Sequence, residues 1–191
     1  MKKTIILTLI ILVFYSCKTD RKPRTIYWSA SRFENYIRDT VHKPKLHLGY
    51  YIEISDNGDA KLMTRKNFNA PKEFYKIKIP DSLINQIFNL TNNDSLFIVK
   101  KLNNNESAIY DGPTYYIQYS NDSTKKEAVY EPYRSNLIQG KMQRIMKSIL
   151  INPVIICNTQ INLIEYEKQV EETINKNYPP IKILIDKEVS E

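Results

Sequence analysis

Five tyrosines in the second half of the chain are the residues whose type and spacing most favour ligand binding: Tyr115, Tyr116, Tyr119, Tyr130 and Tyr133. Tyr115 and Tyr119 alternate along one face of a predicted strand. Aromatic rings on one face of a sheet can stack on sugar rings or contact a partner protein. The alternative is that the same rings pack helices onto the sheet. Both roles remain open from the sequence, and these tyrosines are the candidate ligand-binding residues.

The two histidines, His42 and His47, do not predict a metal site. They lie five residues apart across Pro44, and a zinc site needs further ligands in a fixed geometry. The acidic run from Asp56 to Asp59 suggests calcium, but an EF-hand loop needs more oxygen ligands and a distal glutamate. Turn formation explains that run, so we predict no metal and no cofactor.

Catalytic motifs of defined spacing do not stand out either. A serine nucleophile would need a Gly-x-Ser-x-Gly elbow or a Ser-x-x-Lys pair, and neither occurs in a useful context. Carboxylates are plentiful, yet no spacing selects a pair for glycoside hydrolysis. We therefore predict that the protein is not an enzyme. A hydrolase with a site scattered through the fold is kept as an alternative.

Three short triplets are similar to the O-glycosylation signal of some Gram-negative envelope proteins. They begin at Asp39, Asp81 and Asp94 and continue with a hydroxyl residue and an apolar residue. The triplet at Asp81 is better explained as a helix cap. The triplet at Asp94, in a predicted loop, is therefore the candidate to test, with Ser95 as the acceptor.

The clearest local pattern predicts a β-hairpin over residues 48–64. A three-residue loop over residues 56–58 places Ile54 opposite Ala60, so that apolar side chains share one face. Gly58 then takes the left-handed position of the turn, where glycine has the lowest cost.

The remaining elements are predicted from periodicity, caps and prolines. We predict further strands over residues 74–79, 96–99, 113–119, 126–130, 154–156 and 181–185. We predict a short helix capped by Ser29 or Ser31 and running through Arg38, a helix capped by Asp81 or Ser82, a helix from Ser135 through Leu150, and an acidic helix carrying Leu163, Tyr166, Val170 and Ile174.

These elements predict an α+β fold, with a mainly antiparallel sheet and two or three helices packed on one face. The order of strands, proline, cap and helix occurs twice, which is typical of a duplicated β-β-α unit. Chance use of common strand-to-helix punctuation explains the same order. The acidic helix could also complement the basic hairpins.

Composition indicates a folded protein of about one domain. Hydrophobic residues make up 42% and aromatic residues 11% of the chain, and the formal net charge is +7. The excess charge is spread along the sequence, which is typical of a solvated surface; attraction to anionic lipid or polysaccharide is the alternative. No base-reading motif is present, so we predict no nucleic-acid partner.

The beginning of the chain has the three parts of a secretory signal. Two lysines precede an apolar run that ends at Ser16 and Cys17, and the run is shorter than the about 20 residues of a membrane-spanning helix. The segment resembles a bacterial lipoprotein precursor, from which it departs at Phe14 and Tyr15. The resemblance implies cleavage before Cys17 and acylation of that cysteine. An ordinary signal peptide cut near Ser16 and an uncleaved anchor are the alternatives.

The resemblance also implies an address and a domain division. Because Lys18 rather than aspartate follows Cys17, it implies a lipid anchor in the outer membrane, facing the periplasm. We predict a signal peptide over residues 1–16, a lipidated tether over 17–26 and a single α+β domain over 27–191. Cys157 is then left without an intrachain partner, and we predict a buried, small apolar role for it. Without acylation, a disulfide between Cys17 and Cys157 is the alternative.

The function predicted from these features is that of a membrane-anchored envelope lipoprotein, acting as a non-catalytic binding or structural module with a protein or glycan partner. An immunity or inhibitor lipoprotein that acts against a periplasmic toxin is the alternative, beside the hydrolase. Residues 50–90 and 111–150 also resemble uncharacterised small lipoprotein domains with a β-β-α pattern, which carry no assigned activity to transfer.

Overall fold

The computed structural model describes residues 23–33, 46–67, 70–99 and 112–177. The strands in these residues are β1 (Thr25–Phe33), β2 (Leu46–Ser55), β3 (Asp59–Thr64), β4 (Glu73–Lys78), β5 (Thr114–Ser120), β6 (Lys125–Tyr130) and β7 (Ile155–Asn158). The helices are α1 (Asp81–Thr91), α2 (Leu137–Ile151) and α3 (Ile164–Asn177), with short 3-10 turns at Asp94–Phe97 and Pro132–Arg134. The strands form one antiparallel sheet in the order β6-β5-β1-β2-β3-β4-β7, which confirms the predicted α+β fold.

The sheet separates two apolar clusters, one on each face. Helices α1 and α2 pack together against one face, which we call the two-helix face. Helix α3 packs against the opposite face, which we call the α3 face. The prediction of two or three helices on one face is thus met by two helices, and the third lies opposite. No helix in the described part of the chain is long and apolar enough to span a membrane.

The β2–β3 hairpin has the predicted register, with Ile54 paired to Ala60. Its turn places Gly58 at a φ of 84°, a conformation that other residues adopt at a cost. A Cβ atom at this position would also lie 2.9 Å from the carbonyl oxygen of Ile79. Turn chemistry and close backbone approach therefore both require glycine here.

The predicted helix from Ser29 or Ser31 is wrong, because both residues belong to β1. This strand lies between β2 and β5, which hydrogen-bond to its two edges. Trp28 and Ser29 are both buried, on opposite faces of the sheet. Pairing with strands distant in sequence overrides the local helical spacing. Residues 34–38 of the predicted helix lie outside the described residues.

The tether also ends earlier than the predicted boundary at residue 26. Strand β1 begins at Thr25, and the side chain of Ile26 is 0% exposed. Arg24, just before the strand, forms an ion pair with Asp56 in the β2–β3 turn, at 3.0 Å. The folded domain therefore includes the last residues that were assigned to the tether.

The predicted strand over residues 96–99 is wrong, because this stretch begins in a 3-10 turn. The side chain of Asn93 accepts a hydrogen bond from the N–H of Ser95 at 3.0 Å and so starts the turn. The turn buries Leu96 against the two-helix face. The carbonyl of Ser95 accepts a bond from Asn136, so this candidate glycosylation triplet belongs to the folded structure. Its modification stays a prediction.

The N-cap positions of α1 and α2 are not the predicted ones. No side chain caps α1, which follows Pro80, so the cap at Asp81 or Ser82 is wrong. Asn136, rather than Ser135, caps α2 and forms a capping box with the first turn.

The other predicted elements agree with the structure within one or two residues. The strand patterns over residues 74–79, 113–119, 126–130 and 154–156 correspond to β4, β5, β6 and β7, and the acidic pattern corresponds to α3. The predicted strand over residues 181–185 lies outside the described residues. The duplicated β-β-α unit stays a prediction.

Candidate functional site

The two faces of the sheet differ in chemistry. Along one register line of the two-helix face, six residues on successive strands are apolar: Ala128, Ile117, Trp28, Ile52, Leu62 and Tyr75. The neighbouring line on the α3 face is polar apart from one aromatic ring, and we call it the polar row: Glu127, Gln118, Tyr27, Glu53, Lys61, Lys76 and Cys157. At about 4.8 Å per strand, the polar row extends about 29 Å across the sheet.

Helix α3 covers the register line next to the polar row. The polar row itself lies along the side of the helix and is not covered by it. The covered line is mainly apolar: Val129, Tyr116, Ser29, Tyr51, Met63 and Phe74. Leu163, Val170 and Ile174 pack on this surface. An ion pair between Lys72 and Glu167 connects α3 to the segment before β4, in agreement with the predicted complementarity of the acidic helix and the basic hairpins.

An open cleft of about 390 Å³ forms where α3 meets the polar row. Four of its five α3 residues lie at positions i, i+3, i+4 and i+7, which share one face of a helix, and Tyr166 is the fifth. Tyr27 and Gln118 contribute from the sheet. We call this site the cleft, and its lining residues are Tyr27, Gln118, Glu165, Tyr166, Lys168, Gln169 and Glu172. A smaller cavity of about 180 Å³ lies further along the polar row, beside Glu53, Lys61 and Lys76.

A hydrogen-bond network fixes the floor of the cleft. The Nε2 of Gln169 lies 2.7 Å from the Tyr116 hydroxyl oxygen, 2.7 Å from Oε1 of Gln118 and 3.2 Å from Oε2 of Glu127. The Tyr116 hydroxyl lies 2.9 Å from the same oxygens of Gln118 and Glu127 and can donate its proton to either. Burial and the hydrogen bond to Glu127 raise the pKa of Tyr116 well above 10.0.

The charge of Glu127 determines how the two amides point. A carboxylate only accepts hydrogen bonds, so Gln169 must turn its NH₂ group towards Glu127. Gln118, which faces the same NH₂ group, must then present its carbonyl oxygen. The network therefore has one consistent arrangement of donors and acceptors.

A second group of contacts connects Tyr166 of α3 to the sheet. The Tyr166 hydroxyl donates to Oγ of Ser29 at 3.0 Å, and its ring meets that of Tyr51 edge to face, with centroids 4.7 Å apart. The Tyr51 hydroxyl donates to Glu53 at 2.9 Å, and Lys61 pairs with the same carboxylate at 3.0 Å. Burial raises the pKa of both Tyr51 and Tyr166 above the ordinary value.

The five tyrosines predicted from the sequence as candidate ligand-binding residues do not form an accessible surface. Tyr115, Tyr119 and Tyr130 are buried on the two-helix face, whereas Tyr116 is buried beneath α3. Tyr133, at 52% exposed, is the one accessible member of the five. The prediction that these rings form a binding surface is therefore wrong for the four buried tyrosines. For them the alternative, packing of helices onto the sheet, holds. Alternation along β5 sends adjacent tyrosines to opposite faces.

Cys157 is exposed, so its predicted burial is wrong. Strand β7 is the edge of the sheet, and all four of its residues are exposed. The apolar run predicted a strand correctly, but no described helix covers that strand. Cys17 lies outside the described residues, and so does the alternative disulfide.

The candidate metal residues have other roles where they are described. Asp59 accepts a hydrogen bond from Lys78 at 2.9 Å, which with their charge attraction lowers the pKa of Asp59. Asn57 bonds to Asp59 within the turn. His47 is half-buried on β2, and His42 lies outside the described residues. In the part of the chain that the structure describes, no three His, Cys, Asp or Glu residues group to hold a metal.

The sequence reasoning missed the cleft residues Gln118, Gln169, Glu165 and Glu172. Two signals were present. Gln118 is a lone amide in an aromatic strand, and the acidic helix has polar residues spaced along a second face. Neither signal shows that β5 and α3 meet.

Comparison of the chain with protein-family models and with curated proteins finds no match.

Proposed function

We propose that this chain is an envelope lipoprotein, anchored through Cys17, whose folded domain binds a partner molecule in the cleft. The observation that carries the proposal is the polar row beside an open cleft, on a sheet whose other face is apolar. Binding sites combine an apolar or aromatic surface with a few oriented polar groups. Tyr27 and the Gln118–Gln169 network have that composition.

The position of Cys17 in the sequence supports the same proposal. Thr25, the first residue of β1, follows Cys17 by eight positions, which an extended chain spans in at most about 28 Å. Thr25 pairs with Ser55 and Ser120 at the end of the sheet that carries the β2–β3 and β5–β6 turns. Tyr27 of the polar row lies two residues further along the strand. A lipid on Cys17 would therefore hold the cleft near the membrane surface.

The proposed module is non-catalytic. Tyr116, Gln169 and Glu127 hydrogen-bond to one another, which favours recognition by fixed donors and acceptors. The raised pKa of Tyr116 moves its hydroxyl further from the neutral range in which a general base must be deprotonated.

The anchor is tested by palmitate labelling of the full-length chain in bacterial cells. We expect the wild type and Cys157→Ala to incorporate the label and Cys17→Ala to lose it. Cys157→Ala is the matched control because it removes the chain's other cysteine, which is exposed. Label retained by Cys17→Ala would contradict the anchor.

The binding site is tested by site-specific photo-crosslinking in the same cells. A photoreactive amino acid replaces Glu172, at the rim of the cleft, or Glu171, which points about 100° away around the helix. We expect a crosslinked adduct from position 172 and not from position 171. Adducts from neither position, or equally from both, would remove the cleft as the binding site.

A further inference from the structure

The side-chain NH₂ group of Gln118, in the floor of the cleft, has no hydrogen-bond acceptor among the described residues. Gln118 is 9% exposed, and its Oε1 is held by Gln169 and Tyr116 at 2.7 and 2.9 Å. Among the described residues, none accepts a hydrogen bond from its Nε2. Because Glu127 fixes the orientation of the network, the NH₂ group of Gln118 stays directed away from it. The cleft therefore presents an oriented donor from its floor.

The rim of the cleft presents the opposite kind of group. Glu165 and Glu172 are exposed carboxylates on the α3 side of the cleft, and carboxylates accept hydrogen bonds. Lys168, between them in sequence, adds a donor. Tyr27 contributes a half-buried ring from the sheet. A ligand that fits must therefore accept hydrogen bonds at the floor, both donate and accept them at the rim, and offer a surface to an aromatic ring.

Charged ligands satisfy only part of this arrangement. An anion could accept from Gln118 and Lys168, but it would meet the carboxylates of Glu165 and Glu172. A metal or simple ammonium ion could bind those carboxylates, but it has no acceptor for the Gln118 NH₂ group. A hydroxyl group both donates and accepts, and the face of a sugar ring can pack on an aromatic side chain.

We propose that the cleft binds a neutral, polyhydroxylated ligand, namely a saccharide. This inference rests on the proposed function, because it assigns a ligand class to the same site. The volume of about 390 Å³ lies at the lower end of the about 300–1,000 Å³ typical of small-ligand sites. A short saccharide segment, rather than a large folded partner, is the occupant that the cleft accommodates.

The test uses the full-length protein in detergent micelles on an array of neutral, anionic and cationic saccharides. The array includes chitobiose and its deacetylated, cationic form as a matched pair. We expect neutral saccharides to bind and their charged counterparts to bind more weakly. Glu172→Gln should weaken binding about five- to tenfold, since it removes a charged acceptor, whereas Glu171→Gln should leave it unchanged.

A second variant examines the floor of the cleft. Gln118→Glu keeps the oxygen that Gln169 and Tyr116 contact and replaces the free NH₂ group by an acceptor, so saccharide binding should be lost. Circular dichroism reports whether this variant folds, and Glu172→Gln, at an exposed position, tests the inference if it does not.

The outcomes separate the two proposals. Neutral binding that depends on Glu172 supports the inference. Binding of only charged saccharides, or of none while the crosslink at position 172 forms, would overturn the saccharide inference and keep the proposed function. Absence of both saccharide binding and the crosslink would overturn both.

Discussion

Trp28 and Tyr27 are neighbours on β1, yet they lie in different environments. Trp28 is completely buried on the two-helix face, where its ring stacks on Tyr115 with centroids 5.2 Å apart. Tyr27 is half-buried on the α3 face, beside the cleft. Two helices cover one face of the sheet. One helix covers the other face, and the surface that it covers stops at the polar row. The difference shows that α1 and α2 cover most of the apolar core, which leaves part of the α3 face open to solvent.

Two buried tyrosines show the same contrast in hydrogen bonding. Tyr130, on the two-helix face, has a buried hydroxyl that faces the Nε1–H of Trp28 but forms no well-aligned hydrogen bond among the described residues. Tyr116, on the α3 face, contacts Gln118, Glu127 and Gln169. The first hydroxyl is incidental to a ring that fills the core, whereas the second organises the floor of the cleft.

The largest expected difference in the free energy of unfolding is between variants of Trp28 and Tyr27, the neighbours on β1. Trp28→Ala should lower the free energy of unfolding by about 3–5 kcal/mol, because it opens a cavity in the core. Tyr27→Ala should lower it by about 1 kcal/mol, since its ring is half-buried and much of it already contacts water. Urea unfolding measures both values. Equal losses would show that the two faces contribute alike.

The next largest difference in the free energy of unfolding is expected from removing the buried hydroxyls of Tyr116 and Tyr130. Tyr116→Phe should lower the free energy of unfolding by about 1–3 kcal/mol, because it leaves polar partners unsatisfied. Tyr130→Phe should change it by less than about 1 kcal/mol, since its hydroxyl forms no well-aligned hydrogen bond. Urea unfolding of both variants is the measurement. A reversed order would contradict the assignment of the polar network to the α3 face.

Alkaline pH should destabilise the α3 face through its tyrosines. The pKa values of Tyr51, Tyr116 and Tyr166 are raised in the folded state above the ordinary 10.0. The stability linked to them is therefore complete below pH 10 and is lost as the pH rises above it, because the unfolded chain ionises first. Each such tyrosine contributes a slope of about 1.4 kcal/mol per pH unit.

Tyr116→Phe isolates one of these contributions. Its free energy of unfolding should fall less steeply than that of the wild type above pH 10, by about 1.4 kcal/mol per pH unit. Urea unfolding at a series of pH values compares the slopes. Parallel curves would mean that Tyr116 has the same pKa in the folded and unfolded chains.

The smallest effect concerns the uncovered edge of the sheet. Cys157→Ser should change the free energy of unfolding by less than about 0.5 kcal/mol, because the side chain is exposed. The wild-type thiol should react with a maleimide reagent in the folded protein. A thiol that reacts only after unfolding would restore the burial that the sequence suggested.

The sequence predicted well the features that depend on nearby residues. The register of the β2–β3 hairpin follows from Gly58 and from apolar alternation, both of which are local. The helical spacing wrongly predicts a helix over the last part of β1, because the partners of this strand are distant in sequence: Ser29 pairs with Tyr51 and Tyr116. Alternation also carries little information where both faces of a strand are buried, as in β5.

The cleft could not be predicted for the same reason. It requires Gln118 of β5 and Gln169 of α3, which are 51 residues apart in the sequence, to meet across the face of the sheet. Cys157 shows the converse limit, because an apolar run predicts a strand but does not show which strand forms the edge.

The central claim, that the network on the α3 face serves binding rather than folding, is tested most directly by replacing its three neutral members together. A triple variant carries Tyr116→Phe, Gln118→Leu and Gln169→Leu. Because the three neutral members become apolar together and Glu127 is exposed to water, few buried polar groups are left without partners. Its free energy of unfolding should lie within about 1 kcal/mol of the wild type, and the crosslink from position 172 should disappear. A folded triple variant that still forms this crosslink would contradict the claim.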